Sequence, residues 1–318
     1  MLRHRTFIAA SLLGAAVATT AHSQDPIIRL PTDSIERLLR SAPYTVVAGQ
    51  DSRYQGDRTQ HLLLSFDSTT ALEVKWAKAP IGGQGFNNQP RYEAAAYELQ
   101  KLFLDPPNYV VPPTVLRMVP LSEVAQRDRY AEPTFGNAAS VLIVVQYWAD
   151  FLTDKGVFDK KRMERDSVYA RHLGDLNVLT YLIRHSDANA GNILISQDSS
   201  NPRLFAVDNG VSFASPPSNR GSFWRDLRVT RLGRTTAERL QKIRREDLDR
   251  ALGVLAQFDL REGEYYEAPK GESIDDGTGV RKKGDVLQLG LTDSEIAGVH
   301  DRLKSLVKRI QDGKLATF

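Results

Sequence analysis

The sequence has no cysteine, which excludes disulfides, thiolate zinc sites and a lipid-modified cysteine near the N-terminus. It has little in the way of long apolar runs. After Phe7–Val17 no segment approaches the ~20 apolar residues of a bilayer span, so the remainder is expected to carry no transmembrane helix. A large surplus of charge is missing too. The formal net charge is +3, and part of that belongs to the first residues: Arg3 and Arg5 precede the apolar run, and Ala21 and Ser23 follow it at the −3 and −1 positions of a cleavage site. This is the layout of a secretory signal peptide over residues 1–23; an uncleaved membrane anchor is the other reading. Without those two arginines the 39 acidic residues nearly balance the basic ones and the net charge falls to +1. With no recognised binding motif either, nucleic acid is not an expected partner. Export without disulfides points to a periplasmic or secreted protein of bacterial type.

What is present is enough apolar material for a substantial core: 318 residues, 41% hydrophobic, as one large domain or two lobes. A short helix is predicted from Pro31 to Arg40, then strands at Tyr44–Ala48, His61–Phe66 and Ala71–Ala77. Gly49 and Gly56 are expected to form a tight turn between the first two strands. Pro90 suits the first position of a helix. In that helix Tyr92, Ala96, Leu99 and Phe103 form an apolar face expected to pack on a sheet. Val141–Trp148 reads as a buried strand. From Asp154 to Asp166 nine of thirteen residues are charged, which reads as a solvated linker. Val168–Ile183 reads as a second helix. The C-terminal third reads as helical around Thr235–Phe258, as a glycine-punctuated hairpin near Asp275–Leu289, and as a last helix beginning at the capping box Thr-Asp-Ser-Glu. The expected fold is α+β, with a strand-rich first half and a helix-rich second half joined near Trp148.

Two short apolar runs each border a carboxylate. The segment HSDANAGNILIS, His185 to Ser196, is a polar loop entering a strand; LFAVDNG, Leu204 to Gly210, is a strand ending in Asp208. If these strands form one hairpin, Asn192 and Asp208 face one cavity, with Asp187 projecting from the loop above. Oxygen donors of this kind suit Mg²⁺ or Mn²⁺ carrying nucleotide phosphates, because Mg²⁺ takes one or two carboxylates plus substrate oxygens and water. Asp187 is then free to orient a hydroxyl.

The order His185-x-Asp187, Asn192 and Asp208-x-Gly210 resembles the catalytic and metal-binding motifs of protein kinases. Lys75 in a strand and Glu93 in the following helix occupy the places of the phosphate-anchoring lysine and its glutamate. With YEAAAYELQKLFL, YVVPPTVLR and AVDNGVSF, the chain from Thr45 to Leu232 is similar to type II phosphatidylinositol 4-kinases, their bacterial phosphatidylinositol kinase-like relatives and the secretory-pathway kinases of the Golgi casein kinase group. The resemblance implies a bilobal protein-kinase-like fold, with lobes at 24–148 and 149–318. It also implies an ATP site between them, dependence on Mg²⁺ or Mn²⁺, and phosphate transfer to a hydroxyl-bearing acceptor, whether protein, lipid or sugar. Gln146 and Trp148, with Tyr147, become candidates to line an adenine pocket.

Departures from the pattern are specific. No G-x-G-x-x-G precedes Lys75, so phosphate cover falls to another loop, such as Gln50–Gln60. Asn189 stands where protein kinases carry a lysine, and that charge has to come from elsewhere. Lys78 rivals Lys75, but three positions apart on a strand they point to opposite faces; the alternation of Leu72, Val74 and Trp76 favours Lys75. These departures keep a catalytically weak pseudokinase and a nucleotidyltransferase open as alternatives. His185 reads as a brace for the loop. The run Trp224–Arg245 carries eight basic residues against two acidic ones, a patch able to steer an anionic acceptor or simply a solvated face.

Overall fold

The computed structural model describes residues 27–51, 59–85, 88–136, 138–274 and 276–318. The leader at residues 1–23, Gly56 and most of Gln50–Gln60 lie outside the described residues. Helix α1 (Thr32–Ser41) is followed by strands β1 (Thr45–Asp51), β2 (Thr59–Ser65) and β3 (Ala71–Lys78), helix α2 (Pro90–Gln100), strand β4 (Thr114–Pro120), helix α3 (Leu121–Ala125) and strand β5 (Ser140–Tyr147). The five strands form one antiparallel sheet in the order β1-β2-β3-β5-β4. Its two faces follow from strand alternation. Leu64, Val74, Trp76, Val115, Ile143 and Val145 pack under Ile35 and Leu39 of α1; Lys75, Gln146 and Thr114, cross-strand partners in one row, point the other way. Every residue of β5 is buried, because both faces of the sheet are covered there. Gly49 sits inside β1, paired with Leu62, rather than in the turn expected for it.

Helix α2 is not merely laid on the sheet by one face. It is buried around nearly its whole circumference, wedged between the sheet and the helical half, which explains the run Ala94-Ala95-Ala96: small side chains allow close approach on every side. The charged stretch after β6 (Leu152–Thr153) is more than a linker, since α4 (Lys160–Arg165) forms within it, capped by the Asp159 carboxylate on the Arg162 N–H at 3.0 Å and anchored by buried Met163. Helix α5 (Ser167–Leu182) then runs through the core. Strands β7 (Ile193–Ser196) and β8 (Leu204–Ala206) make the expected hairpin and, with β6, a three-stranded sheet.

The chain continues with α6 (Ser222–Arg225), β9 (Arg231–Leu232), α7 (Arg234–Leu240) and α8 (Arg245–Leu252). The helical expectation for Thr235–Phe258 holds only to Leu252. At Ala256 the period changes, and β10 (Ala256–Arg261), β11 (Glu264–Ala268), β12 (Val280–Lys283) and β13 (Val286–Leu289) form a second antiparallel sheet, ordered β11-β10-β13-β12. The second half is therefore less purely helical than its sequence suggests. Helix α9 (Asp293–Gln311) starts at the capping box, Thr292 with Glu295, and β14 (Ala316–Thr317) pairs with β9. No helix among the described residues is long and apolar enough to cross a membrane.

The eight basic residues of Trp224–Arg245 do not make one stripe. Arg228 pairs with Asp226, Arg239 with Asp105, Arg244 with Asp247, and Arg245 with Asp249 and Asp293. Four of the eight are thus paired with carboxylates.

Candidate active site

Lys75 enters the interior from β3 because its neighbours Val74 and Trp76 are held against α1. Its ammonium donates to Glu93 Oε1 of α2 at 3.0 Å and to Asp208 Oδ1. Burial alone would depress the ammonium pKa; the Asp208 and Glu93 carboxylates outweigh it and hold the pKa above its ordinary value. The same lysine charge holds the Asp208 carboxyl below the usual range, against the opposing effect of burial. The two carboxylates differ in setting: the Glu93 side chain is 3% exposed, that of Asp208 53%. Glu93 is thus a structural anchor, while Asp208 opens to solvent.

The start of α2 is joined to the Asp208-Asn209-Gly210 segment by two further bonds. Asn209 N–H donates to Glu93 Oε2 at 2.9 Å, and Gln89 N–H donates to the Gly210 carbonyl at 2.9 Å. At Gly210 a Cβ would lie 1.9 Å from Asn88 Oδ1, so any larger residue would displace the Asn88 side chain. Asp208 itself has φ +53°, a left-handed conformation uncommon for a residue with a side chain and maintained here by the contacts on both sides.

The loop after α5 is fastened to the strand after β8. Val207 N–H donates to the Asn192 carbonyl at 2.9 Å, Ser186 N–H to the Val211 carbonyl at 2.8 Å, and Phe213 N–H to the Ile183 carbonyl at 2.5 Å. This zipper brings Asn192 next to Asp208. Asn192 Nδ2 donates to the Asp187 carbonyl at 2.8 Å and faces Asp187 Oδ2 at 3.4 Å. Asn189 Nδ2 donates to the Asp187 carbonyl at 2.9 Å and to Oδ1 at 3.0 Å, so Asp187 is held by two asparagines. His185 is fully buried, with Nε2 3.4 Å from the Val207 carbonyl. Burial, partly opposed by that carbonyl and by Asp187 and Asp208, pushes its pKa down to about 4. It is a neutral brace.

The geometry thus brings Lys75, Glu93 and Asp208 into direct contact, and Asp187 and Asn192 likewise, the two groups meeting along the β7–β8 hairpin. Gln146 is beside Lys75 in the sheet, buried, with Nε2 donating to Thr114 Oγ1 at 2.8 Å. Trp148 is 42% exposed and stacked on His61, ring centroids 4.1 Å apart. Lys78 points to the opposite face and pairs with Asp128. As a donor set, the exposed Asp208 carboxylate and the Asn192 amide oxygen suit a hard divalent cation such as Mg²⁺, which needs only one or two protein oxygens beside those of a substrate.

Sequence reasoning missed four contributors. Asn209 and Gln89 act through main-chain groups, which no side-chain motif reveals. Arg91 makes a buried bidentate pair with Glu295 of α9, at 2.5 and 2.8 Å, and so fixes the helix that presents Glu93. Arg220 contacts Asp187. The last two pairs join residues far apart in the chain, and only the capping-box position of Glu295 offered a signal.

No protein-family model matches the chain, and no curated protein matches it. Among solved structures, that of hydra Fam20 with sugar is similar over 90% of this chain and 92% of its own, at 14% identity and a TM-score of 0.50. A MAP kinase from Leishmania major matches over 66% of this chain and 60% of its own, at 16% identity and a TM-score of 0.28, too slight a likeness to bear on the fold. From the order of elements and the similarity to Fam20, the chain has an α+β protein-kinase-like fold.

Proposed function

We propose that this protein is an ATP-dependent phosphotransferase that moves the terminal phosphoryl group to a hydroxyl of an acceptor. One observation carries the reading: a cation from β3, a carboxylate from α2 and a carboxylate from the segment after β8 meet beside a loop that holds a third carboxylate and an asparagine. Such convergence of polar groups, with Lys75 and Glu93 buried, is costly to build and supports a functional site.

In this reading Lys75, braced by Glu93, neutralises nucleotide phosphate. Asp208 and Asn192 would hold Mg²⁺ or Mn²⁺, which when bound supplies positive charge to the triphosphate. Asp187, oriented by Asn189 and Asn192, accepts a hydrogen bond from the acceptor hydroxyl and takes its proton. A bond forms between that oxygen and the terminal phosphorus, the bridging P–O bond breaks, and ADP leaves. Positioning and charge stabilisation supply most of the rate in this chemistry.

Thermal shift with a nucleotide and metal panel tests the proposal. ATP with Mg²⁺ at a hundredfold excess over Kd should stabilise the protein by about 2.7 kcal/mol, and Asp208→Ala should remove the shift. Mass spectrometry of acceptors (a sugar, a peptide, a phosphoinositide) then separates phosphate addition from nucleotidyl addition. No shift with any nucleotide would overturn the reading.

A further inference from the structure

The loop from His185 to Asn192 carries no permanent cation. His185 is neutral, and Asn189 stands where a lysine would attend the transferred group. Lys75, held by Glu93 and Asp208, serves the nucleotide phosphates in this reading and makes no ion pair with Asp187. The one cation in contact with Asp187 among the described residues is Arg220, whose Nε lies 3.2 Å from Asp187 Oδ1.

The position of Arg220 follows from its backbone. It lies in the turn Asn219–Gly221, where Ser218 Oγ accepts the Arg220 N–H at 3.2 Å. On the other side, Gly221 is pressed onto the loop: a Cβ there would sit 2.5 Å from the His185 carbonyl oxygen and 2.5 Å from the Ser186 carbonyl carbon. The glycine contact and the serine cap together set the register of the turn and aim the arginine at Asp187. Its side chain is 68% exposed, and among the described residues its terminal nitrogens have no protein partner. The two terminal nitrogens of the guanidinium fork remain for a ligand.

We infer that Arg220 supplies the positive charge absent at Asn189 and contacts the terminal phosphoryl group of the nucleotide. This rests on the phosphotransferase reading. A hydroxyl activated by Asp187 sits roughly 2.6–3.2 Å from its carboxylate, and the phosphorus it attacks lies about 3–3.5 Å further on. A guanidinium anchored on the same carboxylate reaches the oxygens of that phosphoryl group, and its planar fork suits two of them.

The test compares the affinities of ADP and of the non-hydrolysable β,γ-imido analogue of ATP, each with Mg²⁺, by calorimetry on the full protein. Arg220→Ala, at an exposed position, should weaken the analogue about 10- to 100-fold, the range of a lost charged hydrogen bond. It should leave ADP within twofold. Arg220→Lys should restore part of the difference. With a productive acceptor, the alanine variant should lower kcat and leave the acceptor KM unchanged. Equal weakening of both nucleotides, no weakening of either, or faster turnover in Arg220→Ala, as a blocking latch gives, overturns the inference and leaves the phosphotransferase reading standing. A wild-type protein that binds neither nucleotide overturns both.

Discussion

Replacing Lys75 by methionine should damage the fold before it bears on any chemistry. Methionine keeps most of the aliphatic volume of lysine, so the packing beside Gln146 changes little; what is lost is the charge between Glu93 and Asp208. Asp208, 53% exposed, regains water and contributes little to the loss. Glu93, 3% exposed, cannot, and keeps only the Asn209 N–H on Oε2. Removing one partner of a buried pair costs about 3–5 kcal/mol, and with half the site hydrated the lower end applies. At about 2–4 °C per kcal/mol for a chain of this size, a loss of about 3 kcal/mol lowers Tm by about 6–12 °C. Adding Glu93→Gln removes the stranded charge and retains an acceptor for Asn209, so the double variant should recover most of the loss. Circular-dichroism melts of the wild type, both single variants and the double variant, at pH 7 without nucleotide, give the coupling directly. A cost under about 1 kcal/mol for Lys75→Met, or no recovery in the double variant, would refute the claim that Lys75 neutralises Glu93.

Two further perturbations probe other parts of the reading. Lys78→Ala should cost less than about 1 kcal/mol, since its pair with Asp128 is partly exposed, and should leave nucleotide affinity unchanged; calorimetry showing lost binding would reverse the assignment of the two faces of β3. Asp175, buried in α5, has its carboxyl pushed up to about 7 by burial, against the Thr236 hydroxyl at 2.8 Å and the charge of Arg171. The native state therefore holds this proton where the unfolded chain, titrating near 3.8, has released it. Stability from this group falls as pH rises from about 4 to about 7, by up to about 4 kcal/mol. Asp175→Asn should flatten that slope and exceed the wild type at pH 8 while matching it near pH 4; urea titrations showing the same difference at both pH values would contradict this.

How much of the site was legible depended on the range of the interaction. The hairpin that carries Asn192 and Asp208, the alternation that separates Lys75 from Lys78, and the helix bearing Glu93 all follow from neighbours within a few residues, where periodicity and turn chemistry act. The strand beginning at Ala256 was not legible: Gln257, Phe258 and Asp259 continue the polar–apolar mixture of α8, and only pairing with β11 and β13 decides for a strand. Helix α4 was hidden by its charge, since one buried methionine and one aspartate cap leave little signal in thirteen residues.

By itself the sequence determined which polar groups are available and on which side of a strand or turn each must lie, because those choices depend on backbone geometry that repeats every two to four residues. Tertiary structure alone decided which of them meet. The Arg91–Glu295 clamp, the main-chain bonds from Asn209 and Gln89, and the approach of Arg220 to Asp187 depend on separate segments being packed to within hydrogen-bond distance. That distance is set by close packing of the whole core, to which every buried side chain contributes.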